Sequence, residues 1–324
     1  MKELEVIGNC ESIKVLGNNL FLLKDNKAYA NNIFIGNREI YASIYLNGKN
    51  IYCYFDHALY EINGIELKKV FSNENYTSFK IIDNRYVLCH ERISRKELEY
   101  TLFDLRGNAI WTTVNDEYAD ILGNYLRFTK RLNQQSFTIK NLFDTILWQF
   151  ILPDHFHFFG EVQIIDDVLF FFAYLDTNKL QNVYGLDIHT GKTIWELNYK
   201  TPYTTQILAS LLNEEDKLCY GYGGHLYQVF SPLNGEILLT KDMTEYYKQG
   251  VSPVPFNNTI ADGKLWFVSG RGERSKFGVL NTATSEVEFI QDYPLENDEQ
   301  LGKPIFHNNK LYILDTANML HIFE

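Results

Sequence analysis

The chain has 324 residues, 45% of them hydrophobic and 15% aromatic, with 30 Lys and Arg against 41 Asp and Glu for a formal charge of −11. That acidic balance argues against a nucleic-acid binder, which needs a basic face to neutralise phosphates, and no run of about eighteen apolar residues offers a helix to a membrane. Tyr and Phe number 22 and 23 against three Met, a bias that suits pleated, half-buried strands better than helices.

In chain order, apolar runs break at a tight polar pair and resume at Leu16-Gly17-Asn18, Leu46-Asn47-Gly48, Ile82-Asp83-Asn84, Leu122-Gly123-Asn124, Ile165-Asp166-Asp167, Glu215-Asp216, Ala261-Asp262-Gly263 and His307-Asn308-Asn309. Gly, Asn and Asp reach the positive φ that two-residue hairpin loops require, so each break predicts a hairpin. Their spacing of roughly 30 to 50 residues is the period of a radially repeated sheet. The fullest repeat predicts strands over 160–165, 168–174, 182–187 and 192–197, four antiparallel strands that make one blade. Counting in this way predicts an all-β propeller of eight blades at 12–38, 40–73, 77–114, 117–151, 160–199, 205–243, 255–291 and 302–324. The first blade is short, which leaves seven blades with an irregular start as the alternative. The last lacks one strand, and Glu3 to Ile7 can supply it by pairing with Met319 to Phe323, closing the ring and removing exposed edges. The whole chain, 1–324, then reads as one domain.

Cys10, Cys53, Cys89 and Cys219 lie inside apolar runs with no CxxC among them, which predicts buried free thiols.

The segment Val183-Tyr184-Gly185-Leu186-Asp187-Ile188-His189-Thr190-Gly191-Lys192-Thr193-Ile194-Trp195 carries a strand, an Asp, a Thr-Gly turn and a Trp four residues on. It resembles the repeat of PQQ-like propellers, the quinoprotein alcohol dehydrogenase-like superfamily. Weaker copies stand at Phe103 to Gly107 with Trp111, Asn141 to Asp144 with Trp148, Ser231 to Gly235 with Leu239, and Asn281 to Ser285 with Phe289. In this repeat the turn glycine takes a positive φ and the following ring fills the gap between blades. The resemblance implies the fold more firmly than the chemistry. Quinoprotein dehydrogenases use a quinone, a calcium ion, an adjacent disulfide-linked Cys pair and a catalytic Asp, whereas this sequence has no adjacent Cys pair. Nor does it contain a GxSxG elbow, an HExxH or a DxDxDG calcium loop.

Strand order sends the first-to-second and third-to-fourth connections of a blade to one face and the remaining, longer connections to the other. Those longer connections are the expected binding face, since recognition residues gather on loops held by a rigid scaffold. The candidates there are Asp116, Glu117, His155, His157, Tyr203, Tyr246, Tyr247, Arg271, Arg274, Glu296, Asp298 and Glu299. Tyr246 and Tyr247 offer contact area at low entropic cost, and the carboxylates suit a cationic partner. His155 and His157 alternate, so an extended backbone would point both the same way. Gly270-Arg271-Gly272-Glu273-Arg274 joins two strands rather than opening a helix, which argues against a phosphate loop, though the arginines could grip a carboxylate. Gly221 to His225 reads as a flexible connection.

The expected function is therefore non-enzymatic protein binding by a cytoplasmic monomer, with no cofactor, metal, nucleic acid or membrane. Met1-Lys2-Glu3-Leu4-Glu5 lacks the apolar core of a signal peptide. An immunity protein or inhibitor of a basic toxin fits the charge. The alternatives are a propeller hydrolase or lyase with axial acid–base residues, and a sensor of a small, sugar-like ligand.

Overall fold

The computed structural model describes all residues except 65, 96, 131–134, 176–179, 201–209, 214, 270–274 and 295–298. The described chain forms eight four-stranded antiparallel sheets, the blades of an eight-bladed β-propeller. They span 10–37, 45–72, 78–115, 117–151, 157–200, 210–242, 253–292 and 301–323, within a few residues of the spans expected from the sequence. Seven blades follow the chain in simple meander order. In the eighth the outer strand is Glu3–Ile7, which pairs with Leu320–Phe323 in the register Glu3↔Phe323 and Ile7↔Leu320. The eight-blade count and the closure by the N-terminal strand both stand.

The expected turn chemistry is present. Gly17, Asp83, Asn84, Gly123, Asp166, Asp262, Gly263, Asn308 and Asn309 all have φ between 49° and 66°. In the sixth blade the left-handed position falls on Lys217 instead, φ 58°.

Two compact units divide the chain. One, called here the N-half, comprises Ile13–Phe158 and Ile188–Gly191; the other, the C-half, comprises Met1–Ser12, Phe159–Asp187 and Lys192–Glu324. In each, the core lies in the seams between successive sheets rather than within a sheet. In the N-half, Phe71, Phe79, Val87, Cys89 and Phe103 fill the seam between blades 2 and 3, while Tyr100, Leu102, Leu126 and Phe128 fill the next. In the C-half, Tyr222, Tyr227, Leu265 and Phe267 join blades 6 and 7, and Trp266, Phe277, Leu311 and Phe323 join blades 7 and 8. Each such ring removed from water stabilises the fold by about 1.5–3 kcal/mol.

The Asp–Gly–Trp repeat latches these seams. The Trp111 indole donates to the Leu142 carbonyl at 2.6 Å, Trp148 to Ile188 at 2.7 Å and Trp195 to Pro232 at 3.0 Å, each acceptor lying in a later turn of the same unit. Gly191 (φ 68°) and Gly235 (φ 72°) lie beneath the rings, where a Cβ would come within 2.5 Å of Trp148 and 2.8 Å of Trp195. In blades 3 and 4 the Asp or Asn that begins the turn caps it: Asp104 accepts the Arg106 and Asn108 amides, and Asn141 accepts those of Phe143 and Thr145. Where the sixth blade has Leu239 in place of Trp, Lys241 supplies the link instead, donating to the Ser285 carbonyl at 2.8 Å and to Glu286 at 2.6 Å.

All four cysteines are free and buried. Burial pushes the Cys53 thiol up to about 12 and raises Cys89 and Cys219 as well. They are packing residues.

Candidate functional site

In the C-half the longer connections interlock into one framed surface. The connection from blade 6 to blade 7 is ordered by its own short helix, Thr244–Lys248, begun by Asp242, whose carboxylate accepts the Thr244 amide at 2.8 Å and is held below its usual range chiefly by hydrogen bonds from Thr244. Met243 and Val251, 0% and 1% exposed, pin the helix at both ends. The Met243 amide donates to the His225 carbonyl at 2.7 Å, and the Ser252 amide to Ser269 Oγ at 2.6 Å. Further along, the Tyr293 amide donates to Ser275 at 2.6 Å and the Thr316 amide to Gln300 at 3.0 Å. Blades 6, 7 and 8 therefore share a hydrogen-bonded rim.

On that rim Tyr246 is half-buried against the Tyr222–Phe267 core, and the Tyr247 ring lies over His225 with centroids 3.7 Å apart. These two expected contact residues are thus partly committed to holding the rim together, with part of each ring left outward. Asp242, Glu245 and Asp292 are exposed and Glu299 is half-buried. Glu245 pairs with Lys248 at 2.7 Å, and Lys276 pairs with Asp292.

The remaining candidates do not all join this surface. Asp116 is exposed, while Glu117 begins the first strand of blade 4, its amide donating to Asn115 and its carbonyl accepting from Tyr100. Both are in the N-half. His155 and His157 are exposed but do not share an extended backbone: His155 is left-handed at φ 69° and His157 opens a strand, which removes the basis for reading them as a pair. Tyr203, Arg271, Arg274, Glu296 and Asp298 lie outside the described residues. Gly221 to Gly223 are part of the strand Leu218–Gly223 rather than a connection, because Gly221 pairs with Gln228 and Gly223 with Leu226. The acidic Glu215-Asp216 turn has the structural role expected of it. Asp216 caps the Leu218 amide and accepts the Tyr220 hydroxyl.

Charge separates the two units sharply. The N-half has 17 Lys and Arg against 16 Asp and Glu, a net of +1; the C-half has 13 against 25, a net of −12. The whole acidity of the chain therefore belongs to the unit that carries the tyrosine helix. The segment 292–299 alone holds Asp292, Glu296, Asp298 and Glu299 with no cation.

Two polar clusters escaped sequence reasoning. In the C-half, His321 is 5% exposed; Nε2 is 2.8 Å from Asp315, and Nδ1 is 3.1 Å from Glu3 and 3.0 Å from the Tyr293 hydroxyl, which donates to Glu3 at 2.7 Å. Asp315 also accepts the Ala317 and Met319 amides. The cluster fastens the N-terminal strand to the last blade. Its members are as far apart in sequence as residues 3 and 321, and no spacing could signal it. In the N-half, Lys14 donates to the Tyr41 and Ile44 carbonyls at 2.7 and 3.0 Å, its ammonium 4.4 Å from the centre of the Tyr41 ring. Burial pulls its pKa down to about 8. These contacts make it a cap for the short helix Arg38–Ser43.

Among the described residues, no group of three or more His, Cys, Asp or Glu is placed to hold a metal ion, and no helix is long and apolar enough to cross a membrane. An open groove of about 350 Å³ lies in the N-half between Lys69–Ser72 and Leu105–Gly107. The carboxylates with displaced pKa values, the half-buried Asp104 and the exposed Asp242 and Glu288, are lowered by hydrogen bonds, the ordinary chemistry of capped turns.

No protein-family model matches the sequence, and no curated protein matches it. Solved structures of similar fold include BamB from Moraxella catarrhalis, 13% identical over 99% of this chain and 96% of that one with a TM-score of 0.39. Another is Hsv2 from Kluyveromyces lactis, 14% identical over 83% and 87% with a TM-score of 0.47. Hsv2 from Kluyveromyces marxianus is 10% identical over 96% and 90%, TM-score 0.46.

Proposed function

We propose that this chain is a non-enzymatic, protein-binding propeller that captures a cationic partner through the rim of its C-half. The observation that carries the reading is the charge split, −12 on one unit and +1 on the other. A field concentrated on one unit steers a basic protein toward that unit and speeds encounter, whereas the same charge spread evenly would mainly confer solubility. The exposed parts of Tyr246 and Tyr247 supply contact area on a surface already framed by hydrogen bonds, so little ordering entropy is lost on docking. A cytoplasmic immunity protein or inhibitor that neutralises a basic toxin is the role this design suits. The three indole latches, two of them over turn glycines, support kinship with PQQ-like repeats used as a scaffold rather than for dehydrogenation.

The test is capture from lysate at low and high salt, with mass spectrometry of what is retained, beside a variant carrying Asp292→Asn, Glu296→Gln, Asp298→Asn and Glu299→Gln. Proteins of high isoelectric point, lost at high salt and lost by the variant, are expected. Recovery of nothing at either salt, or of partners indifferent to both, rejects the reading.

A further inference from the structure

The outer strands of the blades differ in a way unrelated to the cationic partner. A terminal strand presents a row of backbone groups to any other strand, and proteins usually guard it with charge. All four outer strands of the C-half contain charged residues: 193–200 has Glu196 and Lys200, 237–242 has Lys241 and Asp242, 287–292 has Glu288 and Asp292, and 3–7 has Glu3 and Glu5. Three of the four in the N-half, Ile33–Asn37, Ala109–Asn115 and Ile146–Ile151, contain none. The last is the extreme case. It is the terminal strand of blade 4, reads Ile-Leu-Trp-Gln-Phe-Ile, and exposes Ile146 by 62% and Ile151 by 66%, with Phe143 at 60% in the turn before it.

We infer that Ile146–Ile151 is a homodimer edge, pairing antiparallel with the same strand of a second copy of this chain. A two-fold axis normal to the sheet permits registers in which a residue faces itself. Centred on Gln149, such a register sets Gln149 against its symmetry mate and Leu147 against the mate's Ile151, so exposed apolar residues meet apolar residues and amide meets amide. Electrostatics selects the same occupant. Two copies meeting symmetrically through the N-half bring together units of net +1, whereas a symmetric contact through the C-half sets −12 against −12. A second copy is thus admitted at this strand and repelled from the acidic unit. It stands against the monomer expected from the sequence, which the experiment below decides, and does not depend on the proposed partner.

Analytical ultracentrifugation of the full chain across a concentration series tests it. The wild type should pass from monomer to dimer by about 100 μM. Gln149→Lys, at an exposed polar position that leaves the core untouched, sets like charges opposite each other and should weaken association at least about tenfold. Mixing it with a Gln149→Glu variant should restore a dimer that neither forms alone, because each lysine then faces a glutamate. Ile194→Lys, on the charged outer strand of blade 5, should leave the dimer intact, and circular dichroism checks that each variant is folded. A wild type monomeric throughout, a dimer indifferent to Gln149→Lys, or a mixture that does not restore association overturns the inference. So does a monomer that instead captures an uncharged strand-forming peptide at this edge.

Discussion

The N-half and the C-half are four blades each, with cores in the same places and turns of the same chemistry, yet their surfaces are opposed. The N-half is electrically balanced, with three of its four outer strands uncharged; the C-half is acidic, with every outer strand charged. Seam packing and turn conformation fix the blade, and neither depends on the exposed side of a strand. Exposed positions are consequently free to specialise. In this chain they do so one unit at a time.

The sharpest way to break the comparison is at the contact only the C-half possesses, the fastening of a strand from the opposite end of the chain. His321→Leu leaves Asp315, 5% exposed, and Glu3 without the imidazole that lies between them. Removing one partner from a buried polar set of this kind costs about 3–5 kcal/mol. Urea denaturation should show that loss, together with early hydrogen exchange in 3–7 and 320–323. If the loss is no greater than that from Lys248→Ala, whose pair with Glu245 is exposed, the cluster does not hold the blade closed.

The latches come next. Trp148→Ala in the N-half and Trp195→Ala in the C-half each delete a buried indole and its hydrogen bond, with an expected loss of about 3 kcal/mol. Leu239→Ala, at the equivalent place in blade 6, should cost less because no directed bond is lost with it. Gly191→Ala and Gly235→Ala test the other side of the latch, since each strains a left-handed turn and drives a methyl into the ring. Chemical denaturation of the five variants orders them, and equal losses at Leu239 and Trp195 would mean that the indole bond contributes little.

Alkaline titration sharpens the contrast from the N-half side. Lys14 gives up its proton near pH 8 in the fold and near 10.5 when unfolded. Between those values the unfolded chain binds more protons, so stability rises with pH. Cys53 runs the other way: its thiol is protonated in the fold up to about 12 but ionises from about 9.0 when unfolded, so stability falls above pH 9. Cys89 and Cys219 act in the same sense. The wild type should therefore gain stability from pH 8 to 9 and lose it beyond. Lys14→Met should abolish the gain and keep the loss, as read from urea midpoints across that range.

What could be read from the sequence follows from the range of the forces involved. Asn308-Asn309 or Asp262-Gly263 declares a hairpin locally, because φ is a property of one residue, and repetition of such turns gave the blades and their number. Trp148 and Trp195 were legible through the same repeat. The packing of the tyrosine helix was not. Tyr246 and Tyr247 were visible as aromatic residues, but the side they commit to Tyr222 and His225 depends on strands tens of residues away. Glu3, Tyr293, Asp315 and His321 meet only once the blade is closed. The charge split was present in the composition throughout, hidden until the boundary between units could be drawn.

The smallest effect expected is at Lys241, where the sixth blade replaces the indole latch by an ammonium. Its side chain is 27% exposed and donates to a carbonyl as well as to Glu286, so the link is part hydrogen bond and part surface ion pair. Lys241→Met keeps the aliphatic stem along the strand and removes both. The expected loss is about 1 kcal/mol, near the upper end for an exposed pair and the middle for a hydrogen bond. Salt separates the two contributions: the carbonyl bond persists when charges are screened and the Glu286 pair does not. Denaturation midpoints of wild type and variant should therefore approach each other in about 1 M salt without meeting. Complete convergence would make the link purely ionic, and blade 6 would then have no counterpart to the directed bond that Trp111 and Trp148 make in the N-half.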